Sequence, residues 1–318
     1  MLAIVCPGQG AQSPGFLSPW LELPGLREEA AALSSAAGID LVAHGTRSDA
    51  DTIRDTAVAQ PLIVGAGLLA LGALFADGST TFAAATGVTA GHSVGEVTAA
   101  AAAGVLSFED ALGLVKVRGN AMAQASAVTP TGMSAVLGGE PDDILESLAR
   151  HGLAPANVNG ADQVVAAGTL EQLAALAADP PARARVIPLQ VAGAFHTGHM
   201  APAVDAMQRA TAGIEARDPR VTVLSNSDGQ PVDSATEVVA RLVAQLSHPV
   251  RWDLCMATMT GLGVTGLVEL APAGTLVGLA KRAMKGVELV GLRTPDDLAA
   301  ARDLIQRHSS PSDPRDPP

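Results

Sequence analysis

Ser93 sits in Gly91-His92-Ser93-Val94-Gly95, a G-x-S-x-G pattern between an apolar segment and the alanine-rich segment 96–103. That setting describes a strained strand-to-helix turn, which projects a serine hydroxyl and leaves the following backbone N–H free for an oxyanion. A Gly-rich chain also produces the bare pattern by accident, and the strand-turn-helix context is what argues against accident here. A serine hydroxyl needs a base to be nucleophilic near neutral pH. Seven histidines are on offer: His44, His92, His151, His196, His199, His248 and His308. His196, in Gly193-Ala194-Phe195-His196-Thr197, stands out because it falls where an expected strand returns into a helix and would face a cleft; a structural or surface role is the competing reading. His196 and His199 are also spaced like a metal pair, but no carboxylate or cysteine completes a ligand pattern, so no metal is expected and His199 is assigned to solvent.

The elements that must position these residues follow from pattern and caps. Residues 2–6 form a short apolar run ended by Pro7-Gly8-Gln9-Gly10, a buried first strand opening into a turn. Helical patterns cover 26–35 and 58–75, and 81–90 suggests another buried strand leading into the Ser93 turn. Ser107 with Asp110 signals a capped helix through Met122. From there the grain changes: 132–137 strand, 142–150 helix, 154–158 and 163–167 strands, 170–178 helix capped by Thr169 and Gln172, and 185–189 strand. This β-α-β-β-α-β order describes a small ferredoxin-like lobe over 125–191. Helix 197–214, strand 221–224, helix 234–246 with a box completed by Glu237, and strand 266–270 return to the first domain. Thr294-Pro295-Asp296-Asp297 starts a last helix to about Arg307. The expected organisation is α/β: a large domain of 1–124 and 192–307, an inserted lobe of 125–191, and a disordered tail of 308–318 rich in Pro and Ser.

Composition narrows the partners. Hydrophobic residues are 48% and charged residues 16% of the 318, which excludes a disordered chain. The formal charge of −12 argues against nucleic acid as the main partner. An acidic protein partner would also be repelled globally, and would have to meet a local basic patch such as Lys281, Arg282 and Lys285, or Arg183 and Arg185. Cys6 and Cys255 lie in apolar surroundings and read as reduced, packed thiols, consistent with the cytoplasm. The N-terminus lacks the basic start and long apolar stretch of a signal peptide. The longest apolar run, 62–76, has 15 residues where a membrane span needs about 20, so it reads as a core helix. No heptad pattern demands more than a monomer.

Five motifs together carry a resemblance. Pro7-Gly8-Gln9-Gly10, Gly91-His92-Ser93-Val94-Gly95-Glu96, Val115-Lys116-Val117-Arg118-Gly119, Asn157-Val158-Asn159 and Phe195-His196-Thr197-Gly198-His199-Met200 resemble malonyl-CoA:acyl carrier protein transacylases in order and spacing, from Leu2 to about Arg307. The resemblance implies a large α/β-hydrolase-like domain with a mostly parallel sheet and an inserted ferredoxin-like lobe. It implies transfer of malonyl from coenzyme A to the phosphopantetheine thiol of a holo acyl carrier protein in fatty-acid or polyketide synthesis. It makes Ser93 the nucleophile, His196 its base and the backbone carbonyl of Gln245 the group that orients the imidazole. The N–H groups of Gln9 and Val94 would form the oxyanion hole, and Arg118 would bind the malonyl carboxylate, a role that suits a planar guanidinium fork. Phe195 would crowd the pocket against an α-methyl group. No cofactor beyond the coenzyme A thioester is implied. Cys6, Val94 and Gly193 depart from residues common in the family, which bears on fine acyl specificity.

Two rivals remain at this level. A serine hydrolase would share the turn but use an acid between Ser and His, for which Asp162 and Asp179 are candidates by chain order. A silent scaffold that only docks carrier proteins would need neither Ser93 nor His196.

Overall fold

Leu2–Cys6 places five apolar residues in a row, all fully buried, as a strand covered on both faces requires. The computed structural model describes residues 1–191 and 193–309, so the tail expectation for 310–318 lies outside the described residues. Among these residues the strands in chain order are β1 (Leu2–Cys6), β2 (Val88–Gly91), β3 (Thr131–Gly138), β4 (Ala154–Gly160), β5 (Gln163–Thr169), β6 (Ala184–Pro188), β7 (Thr222–Leu224), β8 (Pro231–Val232), β9 (Val250–Arg251), β10 (Gly266–Glu269) and β11 (Glu288–Gly291). They form two mixed sheets within a mixed α/β fold.

The first sheet has the order β11-β10-β1-β2-β7-β8, parallel throughout except for β8. Leu2, Ile4 and Cys6 pack on one face with residues of the helices Thr56–Phe75 and Leu298–His308. Ala3 and Val5 pack on the other with Trp252–Gly261 and Thr275–Ala283. The helix Thr56–Phe75 starts from Asp55, whose carboxylate accepts the Ala57 N–H. Its length and mean hydropathy of 2.0 would suit a membrane span, yet 83% of its apolar window is buried inside the protein. It is the core helix on which both the helix Gly95–Ala102 and the helix Phe108–Ser126 pack.

The second sheet has the order β6-β3-β5-β4-β9, antiparallel up to β4 and closed by a short parallel pairing with β9. Alternation along β5 divides its faces: Val164 and Ala166 meet the helices Pro141–Arg150 and Leu170–Ala178, while Val165 and Ala167 join the main core. The Thr169–Gln172 capping box is present.

Several boundaries differ from expectation. Instead of one strand over 81–90, Thr81 caps a short helix Phe82–Ala85 and only Val88–Gly91 pairs in the sheet. Three successive alanines and a threonine cap outweigh the apolar run. The helix expected to end at Met122 continues to Ser126. The helix expected over 197–214 is a 3₁₀ turn Gly198–Met200 followed by Ala201–Thr211, with Pro202 in its first turn. Glu237 does not close a capping box; its carboxylate pairs with Arg241. His308, assigned to the tail, belongs to the last helix, where its ring bonds the Thr265 hydroxyl at 2.8 Å. The strands β8, β9 and β11 and the helices Trp252–Gly261 and Thr275–Ala283 were not anticipated.

Candidate active site

The first sheet delivers the serine. At the carboxyl end of β2 the chain turns sharply, and Ser93 takes φ 54°, a left-handed conformation costly for a residue with a Cβ. The turn closes so tightly that a Cβ on Gly91 would lie 1.9 Å from the carbonyl carbon of Gly95. A Cβ on Gly95 would lie 2.2 Å from the Cys6 oxygen. Both positions therefore require glycine. Asn226, fully buried just after β7, holds the strained turn from the side: its Nδ2 donates to Gly91 O at 2.7 Å and its Oδ1 accepts Ser93 N–H at 2.8 Å. His92 donates from Nε2 to Asn159 Oδ1 on β4 at 2.8 Å, tying the turn to the second sheet.

His196 arrives from the segment that follows β6 and also has a left-handed backbone, with φ 61°. Its Nδ1–H donates to the backbone oxygen of Gln245 at 2.8 Å, which leaves the Nε2 lone pair to accept the Ser93 hydroxyl at 2.7 Å. Burial, reinforced by the nearby Arg118 charge, lowers the His196 pKa to about 3, so the ring is held neutral. Asp162 and Asp179 are engaged elsewhere, the first with Arg282 at 2.8 Å and the second near Arg150 and His151.

Arg118 is 1% exposed and reaches the site from the helix Phe108–Ser126. Its Nη1 donates to Gln60 Oε1 at 2.6 Å, and its Nη2 donates to Gln245 Oε1 at 2.7 Å and to Ser93 Oγ at 3.4 Å. Burial lowers its pKa to about 10, against the opposing influence of Glu96, so it stays protonated at neutral pH. Its hydrogen bonds go to neutral amide and hydroxyl oxygens, and among the described residues no anion bonds it directly.

A cavity of about 80 Å³ is lined by Gln9, Ser93, Val94, Arg118, Phe195 and His196, together with Gln60, two methionines and Asn157. An adjoining hollow of about 380 Å³ shares Gln9, Leu189 and Val191 with it and extends toward Arg54. Among the described residues, no protein acceptor takes the backbone N–H of Gln9 or Val94. Of the seven site residues that the resemblance implies, Gln245 alone is not at the cavity wall; it lies behind His196 and Arg118 and bonds both. His199 is exposed. The basic groups considered for an acidic partner are partly spent, since Arg282 pairs with Asp162 at 2.8 Å and Arg183 with Glu140 at 3.3 Å.

Sequence reading gave no role to Gln60, Asn226 and Glu96. Gln60 carries a legible signal, a lone amide in an otherwise apolar helix. Asn226 carries a weaker one, a polar residue just past a strand at the same sheet edge as Ser93.

An acyl transferase domain family model matches residues 3–307. The chain is 52% identical over 304 residues to the malonyl CoA-acyl carrier protein transacylase of Mycobacterium tuberculosis strain H37Rv, covering 96% of this chain and 100% of that one. It is 33% identical over 309 residues to the protein of the same name from Escherichia coli K12, covering 95% and 99%. Among solved structures, MCAT from Mycobacterium tuberculosis matches with TM-score 0.91 and 51% identity over 95% of this chain and 99% of that one. A malonyl-transacylase in complex with its type II PKS acyl-carrier protein matches with TM-score 0.88 and 30% identity, covering 95% and 99%.

Proposed function

Because the chain belongs to the acyl transferase domain family, we propose that it carries a malonyl group on Ser93, from malonyl-CoA to the phosphopantetheine thiol of a holo acyl carrier protein. The observation that carries this reading is the 2.7 Å contact between Ser93 Oγ and His196 Nε2 beside a buried guanidinium 3.4 Å from the same hydroxyl. A nucleophile with its base suits acyl transfer. A desolvated cation at the acyl position suits a substrate whose far end is a carboxylate, which simple ester hydrolysis does not require.

In the proposed cycle Ser93 Oγ attacks the thioester carbonyl while His196 Nε2 takes its proton. The N–H groups of Gln9 and Val94 stabilise the oxyanion. Collapse of the tetrahedral intermediate breaks the C–S bond, and His196 returns the proton to the departing coenzyme A sulfur. The carrier thiol then attacks the malonyl-serine ester, giving its proton to His196, which passes it to Ser93 as the ester bond breaks. Arg118 holds the malonyl carboxylate through both halves, and Gln245 O keeps the imidazole in the productive tautomer. The cycle calls on no metal or redox group.

We also read the first sheet and its helices, 1–124 and 192–307, as an α/β-hydrolase-like domain, and 125–191 as a ferredoxin-like lobe. Support comes from the largely parallel order of the one sheet and from the order β6-β3-β5-β4 of the other. The products suit fatty-acid or polyketide synthesis, and the carrier protein in the matched complex is a type II PKS acyl-carrier protein.

Initial rates measured while varying malonyl-CoA and holo carrier protein test the reading. Parallel double-reciprocal lines are expected of a covalent intermediate. Intersecting lines would replace it with direct transfer in a ternary complex, and the absence of carrier malonylation would remove the function.

A further inference from the structure

Glu96 is 5% exposed, in the first turn of the helix Gly95–Ala102 that follows Ser93, and has no part in the cycle above. Each of its oxygens meets a donor. Oε1 accepts the backbone N–H of Asn226 at 2.5 Å, and Oε2 accepts Nε2 of Gln245. Gln245 Nε2 also donates to Ser93 O at 2.9 Å, so both acceptors around that amide nitrogen are oxygens. The other end of the same amide, Oε1, accepts from Arg118 Nη2 at 2.7 Å. A primary amide has one donor end and one acceptor end, and fixing one fixes the other. Gln245 is 6% exposed, so no solvent stands ready to satisfy a reversed orientation.

We propose that Glu96 is a positioning residue for acyl recognition: its carboxylate locks the Gln245 amide so that Oε1 faces Arg118 and aims the guanidinium at the substrate carboxylate. The arrangement also explains why a buried arginine and a buried glutamate lie close without pairing. A direct Glu96–Arg118 salt bridge would neutralise the cation and satisfy its fork, leaving little for a ligand carboxylate. With the glutamine between them, Glu96 supplies a counter-charge that keeps Arg118 protonated, while the hydrogen-bonding face toward Ser93 stays open. Burial pushes the Glu96 carboxyl upward, while the N–H donors of Asn226 and Gln245 and the Arg118 charge pull it back down, and two oxygens that both accept hydrogen bonds have the geometry of a carboxylate. A carboxyl proton would disturb the network, since both oxygens already face donors.

Loss of the carboxylate charge frees the amide. In Glu96→Gln, the new side chain can still accept from Asn226, but its own NH₂ competes as a donor and allows Gln245 to reverse, which turns an amide NH₂ toward Arg118. The expected signature is selective: malonyl preference over acetyl falls, with malonyl-CoA KM rising more than kcat falls.

The proposal rests on the malonyl transfer reading, and a double-mutant cycle separates the two. Wild type, Glu96→Gln, Gln245→Met and the double variant are compared for thermal midpoint and for competition between malonyl-CoA and acetyl-CoA in Ser93 acylation. Gln245→Met keeps the backbone carbonyl that orients His196 and removes only the amide. We expect Glu96→Gln to lower malonyl selectivity on the order of tenfold, Gln245→Met to lower it at least as much, and the double variant to equal Gln245→Met. If Glu96→Gln does not accumulate as folded protein, Glu96→Asp, which retains the charge, carries the test by preserving most of the selectivity in the wild-type background. Unchanged selectivity in folded Glu96→Gln, or an undiminished Glu96→Gln effect in the Gln245→Met background, overturns the proposal while leaving malonyl transfer intact. Absence of malonylation in the wild type overturns both.

Discussion

Ser93 and His196 stand 103 residues apart in sequence, meet at 2.7 Å, and both have left-handed backbones, with φ 54° and 61°. Neither conformation is cheap for a residue bearing a Cβ, and each is imposed by tertiary bonds. Asn226 spans the serine turn, and the Leu246 oxygen accepts the His196 N–H at 3.2 Å. Strain of this kind at two side chains in contact points to a site held ready before substrate arrives.

The dyad therefore dictates the first prediction. Ser93→Ala abolishes the acyl-enzyme, and His196→Ala slows both half-reactions by on the order of 100-fold or more. Quench-flow with intact-mass detection checks this, and normal acylation of either variant would refute the assigned role.

On the proposed reading, Arg118 selects the acyl group. Arg118→Ala removes charge-assisted hydrogen bonds worth about 1.5–3 kcal/mol, so malonyl preference over acetyl falls by roughly 10- to 150-fold. Competition between the two coenzyme A esters measures it, and retained discrimination would mean the carboxylate is held elsewhere.

The depressed His196 pKa sets the pH behaviour. With a pKa of about 3 the imidazole is already neutral at pH 5, so acylation should have no ascending limb near pH 6.5. The Arg118 charge is one cause of the depression, so Arg118→Ala should raise the His196 pKa and shift that limb upward. On stability the sign is also fixed: between about 3 and the ordinary value of 6.5 the unfolded chain binds more protons at this site, so its contribution is lost as pH falls through that window. Rate profiles from pH 5 to 8 are the check, and a limb near 6.5 in the wild type would contradict the buried, neutral base.

Phe195 is 6% exposed and lines the cavity immediately before His196. Phe195→Ser should admit methylmalonyl more readily by removing the ring from the acyl wall. Competition between malonyl-CoA and methylmalonyl-CoA tests it, and an unchanged ratio would assign the wall to another residue.

Asn226→Ala should leave the buried Gly91 carbonyl and Ser93 N–H without partners, costing on the order of 2–4 kcal/mol. Urea unfolding with an unchanged slope and a lowered midpoint is expected. An unaltered midpoint would mean water replaces both bonds.

Much of this site is legible in the sequence, for identifiable reasons. Gly91 and Gly95 advertise the turn because no other residue fits where backbone approaches backbone. Local caps at Ser107, Thr169 and Thr294 fixed the starts of helices because the signal and the bond lie within three residues. Arg118 was less readable, since a lone arginine in a helix is usually solvated; only packing of its helix against Thr56–Phe75 buries it. Asn226, Gln60 and the side chain of Gln245 were unread because their partners at the site lie 58 to 152 positions away. The strands β8 and β9, two residues each, have too few positions for any periodicity to register.

The most direct measurement is intact-protein mass spectrometry after brief incubation with malonyl-CoA, followed by peptide mapping and a chase with holo acyl carrier protein. A malonyl adduct on Ser93, discharged to the carrier thiol, is the expected result. An adduct lost to water without transfer, or none on Ser93 at all, would contradict malonyl carriage by this serine.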